Sequence, residues 1–389
     1  CGICDEVCPG CSMDYGYYNQ KIFGKKPENL LLGNFIDCFI GYSKDHELRY
    51  GSSSGGLVTQ LLILALEKKI IDGALSVRMK SDNPLKAEPF IARTEEEIIS
   101  ASKSKYCPVP ANLALREIIQ QKGKFAVVGL PCHIQGIRKA ESIDKRLEER
   151  ITLHIGLFCS HTVNFLGTEL MLEKLRIDKN NVRKLDYRGK GWPGYLSIET
   201  SNGHRVSVKY FDYWRPLFGP YFFTPPRCLC CYDLTNELAD ISIGDAWLRE
   251  ILQTDQEGTS VIISRTKTGG SLLEAAISSG VVEMKKVDAE KVIDSQYIQL
   301  QSKKIGLSAR TAILRAFGKR TPDYGNIKHA TNPLLYIVGI LQLFDAYVSQ
   351  RRSIYCLLRN APALCLRGWS ACLYYFESTC YRSLGRSQG

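Results

Sequence analysis

The sequence lacks an apolar leader at its start, a nucleic-acid-binding signature and an uninterrupted apolar run of membrane-spanning length. Without a secretory leader, an oxidising compartment is disfavoured, so we expect a cytoplasmic protein. The absence of helix-turn-helix, zinc-finger and RNA-binding patterns argues against a nucleic-acid partner. The apolar stretch at residues 334–348 is interrupted by Gln342 and Asp345, which makes it too short to predict a membrane span.

Cysteine, by contrast, is abundant: there are 15 in a chain of 389 residues that carries a net charge of +11. This length suffices for two domains and a tail. Disulfide scaffolds are usually small secreted domains, so the grouping of cysteines into C-x-x-C units favours metal sites in a reducing compartment. The positive charge predicts acidic partners, although a simply solvated basic surface is the alternative.

Four cysteines are candidates for one shared site. Cys228 and Cys231 form a C-x-x-C pair, and two more cysteines follow apolar runs typical of buried strands. The runs with their cysteines are Phe125–Leu130 with Cys132 and Ile151–Phe158 with Cys159. Neighbouring strands lie about 5 Å apart, so thiolates at their ends can converge. Four such thiolates suit zinc or an iron–sulfur cluster, with buried free thiols as the alternative.

The N-terminal residues suggest a second metal module. They read C-G-I-C-D-E-V-C-P, in which Cys1, Cys4 and Cys8 match the last three cysteines of the ferredoxin pattern C-x2-C-x2-C-x3-C-P. The first cysteine of that pattern is missing, and we expect that the sequence starts inside a ferredoxin-type module. A short cysteine-rich tail without metal is the alternative. Cys11 could replace the missing ligand, although its spacing does not require this.

Several motifs together resemble a known family, the beta subunits of coenzyme F420-reducing hydrogenases and dehydrogenases. The motifs are S-S-G-G-L-V-T at Ser53–Thr59, S-K-Y-C-P at Ser104–Pro108, G-L-P-C-H-I-Q-G-I-R-K at Gly129–Lys139 and E-L-A-D-I-S-I-G-D-A-W at Glu237–Trp247. The resemblance spans roughly Ile36 to Gly280. It implies a flavoprotein that carries FAD and a 4Fe–4S cluster, with Cys132, Cys159, Cys228 and Cys231 as the cluster ligands. Characterised members move electrons between iron–sulfur centres and a deazaflavin, while plant-type relatives reduce a chlorophyll derivative.

The flavin and coenzyme contacts are predicted from three loops and one helix. Backbone amides after a Gly-rich turn can bind phosphate, Lys105 can pair with a phosphate and Tyr106 can stack on a ring. Arg138 could neutralise a pyrophosphate, and the basic, aromatic loop Tyr187–Gly194 could line the coenzyme entrance. Read alone, each is as well explained as an ordinary connection or surface charge. The predicted cofactor-binding residues are Ser54, Gly55, Gly56, Thr59, Lys105, Tyr106, Gln135, Gly136, Arg138, Arg188, Lys190 and Trp192.

We predict an α/β fold: a mixed-sheet flavoprotein core, a ferredoxin-like N-terminal remnant and a helical C-terminal tail. The divisions are residues 1–34 (remnant and linker), 35–123 and 124–308 (the two parts of the core) and 309–389 (the basic tail). Within them, a buried helix is expected at Leu57–Lys69 and a hairpin turn at Asn202-Gly203. The tail should pack on its own domain, with a peripheral membrane surface or a partner as the alternative.

The function expected from the resemblance is electron transfer between a 4Fe–4S cluster, FAD and coenzyme F420 by hydride transfer. We expect one internal cluster, up to two N-terminal clusters in the intact protein, and a ferredoxin or another iron–sulfur protein as redox partner. Two alternatives stay open. The chain could be a ferredoxin-dependent flavin reductase of another metabolite, or a non-catalytic electron-transfer subunit.

Overall fold

The structure, a computed structural model, describes residues 2–325 and 332–386. These ranges contain eleven strands: β1 (Asp37–Ser43), β2 (Gly73–Met79), β3 (Ala87–Ala92), β4 (Phe125–Gly129), β5 (Ile151–Leu157), β6 (Val182–Asp186), β7 (Tyr195–Thr200), β8 (Arg205–Lys209), β9 (Ile241–Asp245), β10 (Ser260–Ser264) and β11 (Val282–Val287).

The same ranges contain eighteen α-helices: α1 (Ile3–Val7), α2 (Tyr15–Phe23), α3 (His46–Gly51), α4 (Leu57–Glu67), α5 (Glu95–Ser100), α6 (Leu115–Gln120), α7 (Pro131–Glu141), α8 (Lys145–Arg150), α9 (Phe165–Lys174), α10 (Tyr210–Leu217), α11 (Pro226–Leu229), α12 (Arg249–Thr254), α13 (Lys267–Ser278), α14 (Ala289–Lys304), α15 (Gly306–Ala316), α16 (Pro333–Val348), α17 (Arg352–Asn360) and α18 (Ala363–Arg386).

An eight-stranded mixed sheet forms the core, in the order β11-β1-β10-β9-β5-β4-β2-β3. The four central strands β9, β5, β4 and β2 run parallel, and the outer strands pair antiparallel. In β4, Ala126 packs against α4 and α13, whereas Phe125 and Val127 pack against α6 and α7. Strands covered on both faces read as continuous apolar runs, which is why the sequence reveals them. The predicted α/β fold with a mixed sheet is confirmed.

Helix α4 follows the Gly-rich turn and confirms the helix predicted there. Gly56 caps it with φ +72°, a left-handed conformation that favours glycine. A Cβ at Gly55 would lie 2.8 Å from the carbonyl oxygen of Gly41, so the close approach to β1 requires glycine. Eight residues of the helix are buried, including Leu57 and Leu61. Each buried leucine contributes about 1.5–3 kcal/mol to the free energy of unfolding, so α4 is anchored in the core.

Residues 14–34, in the part of the chain predicted to be a ferredoxin-type remnant and a linker, contain helix α2. Asp14 caps this helix by accepting a hydrogen bond from the Tyr17 amide at 2.9 Å. Tyr15 and Tyr18 point into the core, where Gln135 donates to the Tyr15 hydroxyl at 2.7 Å. Tyrosines spaced three residues apart therefore place their rings on one face of the helix, a periodicity that the composition of the segment does not show.

The N-terminal cysteine segment packs on the core beside the C-x-x-C loop. A Cβ at Gly136 in α7 would contact Val7 and Pro9, and a Cβ at Gly10 would collide with the Arg227 guanidinium. Cys4 is exposed and Cys8 is half-buried, while Cys1 lies outside the described residues. The segment thus sits next to the residue that precedes Cys228.

The predicted hairpin is confirmed and belongs to a second, three-stranded sheet in the order β6-β7-β8. Gly203, with φ +82°, turns the chain between β7 and β8. The Asn202 side chain accepts from the His204 amide at 3.2 Å, as expected for an asparagine that stabilises its own turn.

The C-terminal tail packs on its own domain through one stripe of α18. The buried members of this stripe are Leu366, Ser370, Leu373, Glu377, Cys380 and Tyr381. Tyr381 joins a small core with Val338 of α16 and Ala309 of α15. In the part of the chain that the structure describes, no helix combines the length and apolarity needed to cross a membrane. The expected packing on the chain's own domain is confirmed, and a contact with a membrane surface stays a prediction.

A buried carboxyl in this tail should make stability depend on pH. Asp345 is 2 % exposed and accepts from Trp369 Nε1 at 2.9 Å. Burial raises the pKa of Asp345 from 3.8 to about 7. The contribution of the protonated carboxyl to the free energy of unfolding is therefore fully present below the unfolded pKa and is lost as pH rises through about 7. The free energy of unfolding gained by Asp345→Asn should be roughly 2–3 kcal/mol larger at pH 8 than at pH 5 in urea denaturation. An equal effect at both pH values would contradict this. Asp294→Asn, on an exposed residue of α14, is the control and should act equally at both.

Candidate functional site

Two parallel strands deliver the first two candidate cysteines to one edge of the sheet. Strands β4 and β5 pair in parallel, so Cys132 and Cys159, which follow them, emerge side by side. Asn236 ties these strand ends together by donating from its side-chain amide to the carbonyls of Gly129 at 2.8 Å and Leu157 at 3.3 Å. It thereby draws the loop that carries the C-x-x-C pair onto the same edge.

The four predicted cluster cysteines lie close enough for the charge of each to affect the pKa of the others. Burial raises the pKa of Cys132 to about 12, and negative charge on Cys231 and Cys228 adds to the rise. Burial likewise raises the pKa of Cys159, and charge on Cys228, Cys132 and Cys231 raises it further. All four thiols therefore lie within electrostatic range of each other, although they come from three separate stretches of the sequence.

A buried lysine accompanies the four thiols, which we refer to as the thiol group. Lys303, at the end of α14, is 6 % exposed, and its Nζ donates to the Cys228 carbonyl at 3.3 Å. Burial lowers the pKa of Lys303, but charge on Cys231, Cys159 and Cys228 outweighs this and raises it overall. Its positive charge therefore offsets part of the negative charge that ionised thiols would bring.

The chemistry of the thiol group fits an iron–sulfur cluster. Within residues 2–325 and 332–386, no set of three or more His, Cys, Asp or Glu side chains is arranged to hold a metal ion. Four soft thiolates are nonetheless the donor set that zinc and iron–sulfur clusters use. The four cysteines are half-buried. Because thiolates shielded from water are costly unless a positive centre neutralises them, the raised pKa values and the adjacent Lys303 fit such a centre.

A large cavity, the central cavity, opens beside the thiol group. Its volume is about 1300 Å³, and Cys159 lines it. Typical ligand pockets hold about 300–1,000 Å³, so the space suffices for a dinucleotide cofactor and a second ligand. Six basic and four acidic side chains line it: Lys103, Lys105, Arg188, Arg215, Arg367 and Arg382, with Asp212, Asp245, Asp294 and Glu377. The excess of basic groups suits anionic ligands.

The start of α4 and the Lys105 loop form adjacent parts of the cavity wall. Ser54, Gly56 and Thr59 line the cavity, where the first-turn amides of α4 have no partners within the helix. The Ser104 amide donates to Ser53 Oγ at 2.8 Å, which fixes the two loops together. Of the predicted residues, those that line the cavity are Ser54, Gly56, Thr59, Lys105, Tyr106 and Arg188.

Lys105 and Tyr106 have partners within the protein. Lys105 Nζ donates to the carbonyls of Ala101, Ser102 and Lys103 at 2.5, 2.6 and 2.9 Å, and burial lowers its pKa to about 7. The Tyr106 ring lies 4.5 Å from that of Trp214. Lys105 therefore also stabilises the C-terminal end of α5, a role that its sequence position does not reveal.

The loop Tyr187–Gly194 is held by one acid, Asp245. Arg188 donates to both Asp245 oxygens at 2.9 and 3.0 Å, and Trp192 Nε1 donates to Asp245 at 2.7 Å. The Trp192 ring also lies 4.9 Å from that of Trp247. The Arg188 charge is thus already paired, whereas Lys190 is exposed.

Six predicted cofactor residues lie outside the cavity lining: Gly55, Gln135, Gly136, Arg138, Lys190 and Trp192. Gln135 bonds Tyr15 at 2.7 Å and Asp233 at 3.2 Å. Arg138 donates to the Leu238 carbonyl at 3.0 Å and pairs with Glu141 at 3.3 Å. Direct contact of these six residues with a ligand stays a prediction. The contacts of Gln135 and Arg138 stabilise the loop that carries Cys231.

Both histidines next to the candidate ligands are half-buried and hydrogen-bonded within the protein. Burial lowers the pKa of His133 and of His161 to about 4. His161 Nε2 donates to the Phe218 carbonyl at 3.1 Å, and His133 Nδ1 accepts from the Leu130 amide at 3.3 Å. These bonds give both rings a structural role and argue against proton relay.

Three features of the site were missed by sequence reasoning. Asn236 braces the strand ends, Lys303 adjoins the thiols, and α18 forms part of the cavity wall. Asn236 has φ +62°, and an asparagine in a run of small and acidic residues is the one local signal, since asparagine tolerates this conformation. A Cβ at Gly156 would lie 2.4 Å from the Asn236 side chain, which explains that glycine. The other two features depend on long-range packing.

Comparison with known proteins shows which family the chain is similar to. Residues 38–116 match the N-terminal part of the coenzyme F420 hydrogenase/dehydrogenase beta subunit, and residues 122–290 match its C-terminal part. The coenzyme F420 hydrogenase subunit beta of Methanothermobacter thermautotrophicus is 30% identical over 269 residues, which cover 67% of this chain and 88% of that protein. The chain belongs to the family of coenzyme F420 hydrogenase/dehydrogenase beta subunits.

Another relative supports the same family, and a solved structure shares the fold. The coenzyme F420 hydrogenase subunit beta of Methanococcus voltae is 29% identical over 266 residues, which cover 67% of this chain and 87% of that protein. A chain of the F420-reducing [NiFe] hydrogenase complex from Methanosarcina barkeri superposes with a TM-score of 0.57 at 24% identity. The match covers 79% of this chain and 99% of that chain, which shows the shared fold. The tail from α15 onward lies beyond the residues that the family descriptions match.

Proposed function

We propose that this chain is an iron–sulfur flavoprotein that passes electrons between a 4Fe–4S cluster, FAD and the deazaflavin coenzyme F420 in the cytoplasm. The observation that carries the proposal is that the thiol group meets the central cavity at Cys159. Family membership supports the same chemistry, because relatives are named for coenzyme F420.

In this proposal, Cys132, Cys159, Cys228 and Cys231 hold the cluster, and Lys303 compensates part of its charge. The amides at the start of α4, with Ser54 and Thr59, bind phosphate groups of FAD. The aromatic wall that contains Tyr106 and Trp214 stacks on ring systems. When bound, the cluster would exchange electrons singly, while FAD would hold two and exchange a hydride with the deazaflavin.

We propose that electrons enter through the N-terminal cysteine segment. This segment lies against Arg227, which directly precedes Cys228, and against α7, which contains Cys132, so it adjoins the thiol group. A ferredoxin-type cluster with Cys4 and Cys8 among its ligands would then receive electrons from an iron–sulfur partner. Cys1, its third proposed ligand, lies outside the described residues.

One observation favours a second candidate, a flavin reductase of another metabolite. The tail contributes Arg367, Ser370, Tyr374, Glu377 and Arg382 to the cavity wall, and these residues lie outside the matched region. A wall built by a segment outside the family match could select a different substrate for the same redox chemistry.

A hydride-transfer assay separates the two candidates. Holoprotein reconstituted with iron, sulfide and FAD is mixed anaerobically with reduced coenzyme F420 and an artificial electron acceptor. We expect oxidation of the coenzyme that depends on FAD. Flavin binding without turnover would favour the second candidate, and failure to bind flavin would exclude both.

A further inference from the structure

Glu377 is a buried carboxyl in the wall of the central cavity. It belongs to the buried stripe of α18, is 4 % exposed and lines the cavity. Of the other acids that line the cavity, Asp212 and Asp245 pair with arginines, and Asp294 is exposed. Among the cavity-lining acids of the described ranges, Glu377 is thus the buried one outside the ion pairs. An uncompensated buried carboxyl is costly.

Hydrogen bonds from neighbouring side chains hold this carboxyl in place. Gln342 Nε2 of α16 donates to Glu377 Oε1 at 2.7 Å, while Gln342 Oε1 accepts from Arg310 Nη1 at 2.9 Å. Arg310 is already committed, because its Nε donates to the Leu229 carbonyl at 2.7 Å and its Nη2 to the Ser302 carbonyl at 2.8 Å. Gln342 therefore separates the guanidinium from the carboxyl, and the two groups do not form an ion pair.

The groups that face Glu377 leave the pKa of its carboxyl near neutral pH. Burial raises the pKa of Glu377 to about 7, with the charge of Asp345 adding to the rise and Gln342, Arg310 and Tyr221 opposing it. Tyr381 and Cys380 of its own helix are further titratable neighbours. The carboxyl thus carries a proton below about pH 7 and loses it above.

A chain of contacts links Glu377 to the end of the cavity where Cys159 lies. Tyr221 lines the cavity, its hydroxyl accepts from Gln342 Nε2 at 3.3 Å, and its ring lies 5.1 Å from that of His161. His161 follows Cys159 by two residues. A flavin that receives electrons through the thiol group must bring its redox-active ring to this end.

We propose that Glu377 donates the proton that the flavin takes up at the Cys159 end of the cavity when it is reduced. The proposal rests on the proposed function, which supplies two electrons one at a time from an iron–sulfur donor. For each pair of electrons, one O–H bond of the Glu377 carboxyl breaks and one N–H bond of the ring forms. Solvent at the cavity mouth then returns a proton to the carboxylate.

The test compares Glu377→Gln with Asp345→Asn, two buried carboxyls of the tail of which only Glu377 lines the cavity. In anaerobic stopped-flow reduction of holoprotein by reduced methyl viologen, Glu377→Gln should slow flavin reduction about 100-fold near pH 6 and flatten its pH dependence. The wild type and Asp345→Asn should both slow as pH rises through about 7. Glu377→Asp should keep a pH-dependent rate.

An infrared measurement gives a readout that does not depend on turnover. In the infrared difference spectrum of flavin photoreduction, the band of a protonated carboxyl should change in the wild type and in Asp345→Asn and be absent in Glu377→Gln. Wild-type rates, pH dependence and carboxyl band in Glu377→Gln would overturn the proposal while leaving the proposed function intact. A wild-type protein that binds no flavin would instead defeat the proposed function.

Discussion

Replacing Cys231 with alanine should abolish the electron paramagnetic resonance signal of the internal cluster and leave any N-terminal cluster unchanged. Three thiolates would remain where a cubane cluster needs four, so one iron would have no cysteine ligand. Flavin reduction by an iron–sulfur donor should fall by more than the roughly 10–100-fold loss that outer-shell changes cause.

Cys230 provides the matched control, because it neighbours Cys231 and is buried but packs in an apolar cluster with Leu229 and Leu343. Cys230→Ala should cost stability through lost packing while iron content and the spectroscopic signal persist. A signal that survives in Cys231→Ala and disappears in Cys230→Ala would show that the assignment of the ligands is wrong.

Removing the Asp245 side chain should lower the free energy of unfolding by about 3–5 kcal/mol. Asp245→Ala would leave the Arg188 guanidinium, which is 2 % exposed, without its anion, and would leave Trp192 Nε1 without an acceptor. Because small domains are stable by only about 5–15 kcal/mol, the loss would be visible as a large shift of the urea midpoint of the cofactor-free chain.

Asp212→Ala is the matched control for this change. Asp212 pairs with Arg367 at 3.1 Å, but both side chains are about half exposed, so its loss should cost less than about 1 kcal/mol. The double replacement of Arg188 by methionine and Asp245 by leucine should recover much of the loss, since neither buried charge remains. Equal effects of Asp212→Ala and Asp245→Ala would contradict the account of this pair.

The elements that follow from local pattern could be predicted from the sequence. The apolar runs of β4 and β5 gave the strand ends, and the parallel pairing of these strands brings Cys132 and Cys159 together. The glycines before α4 and the Asn202-Gly203 turn determine the backbone only within a few residues, so the predicted helix and hairpin are confirmed.

The contacts that depend on distant residues could not be predicted. Arg188 is separated from Asp245 by 57 residues, and no local pattern shows that its charge is already paired. Lys105 meets carbonyls of its own loop because α5 ends beside it. The tail forms part of the cavity wall only because α18 returns across the domain, which neither its composition nor the family resemblance reveals.

The central claim is that the thiol group and the central cavity hold an iron–sulfur cluster and a flavin. The most direct test is the iron, sulfide and flavin content of protein purified and reconstituted without oxygen. We predict about four iron and four sulfide for the internal site, together with about one FAD per chain. Protein that retains zinc or no metal, and that binds no flavin, would contradict the account.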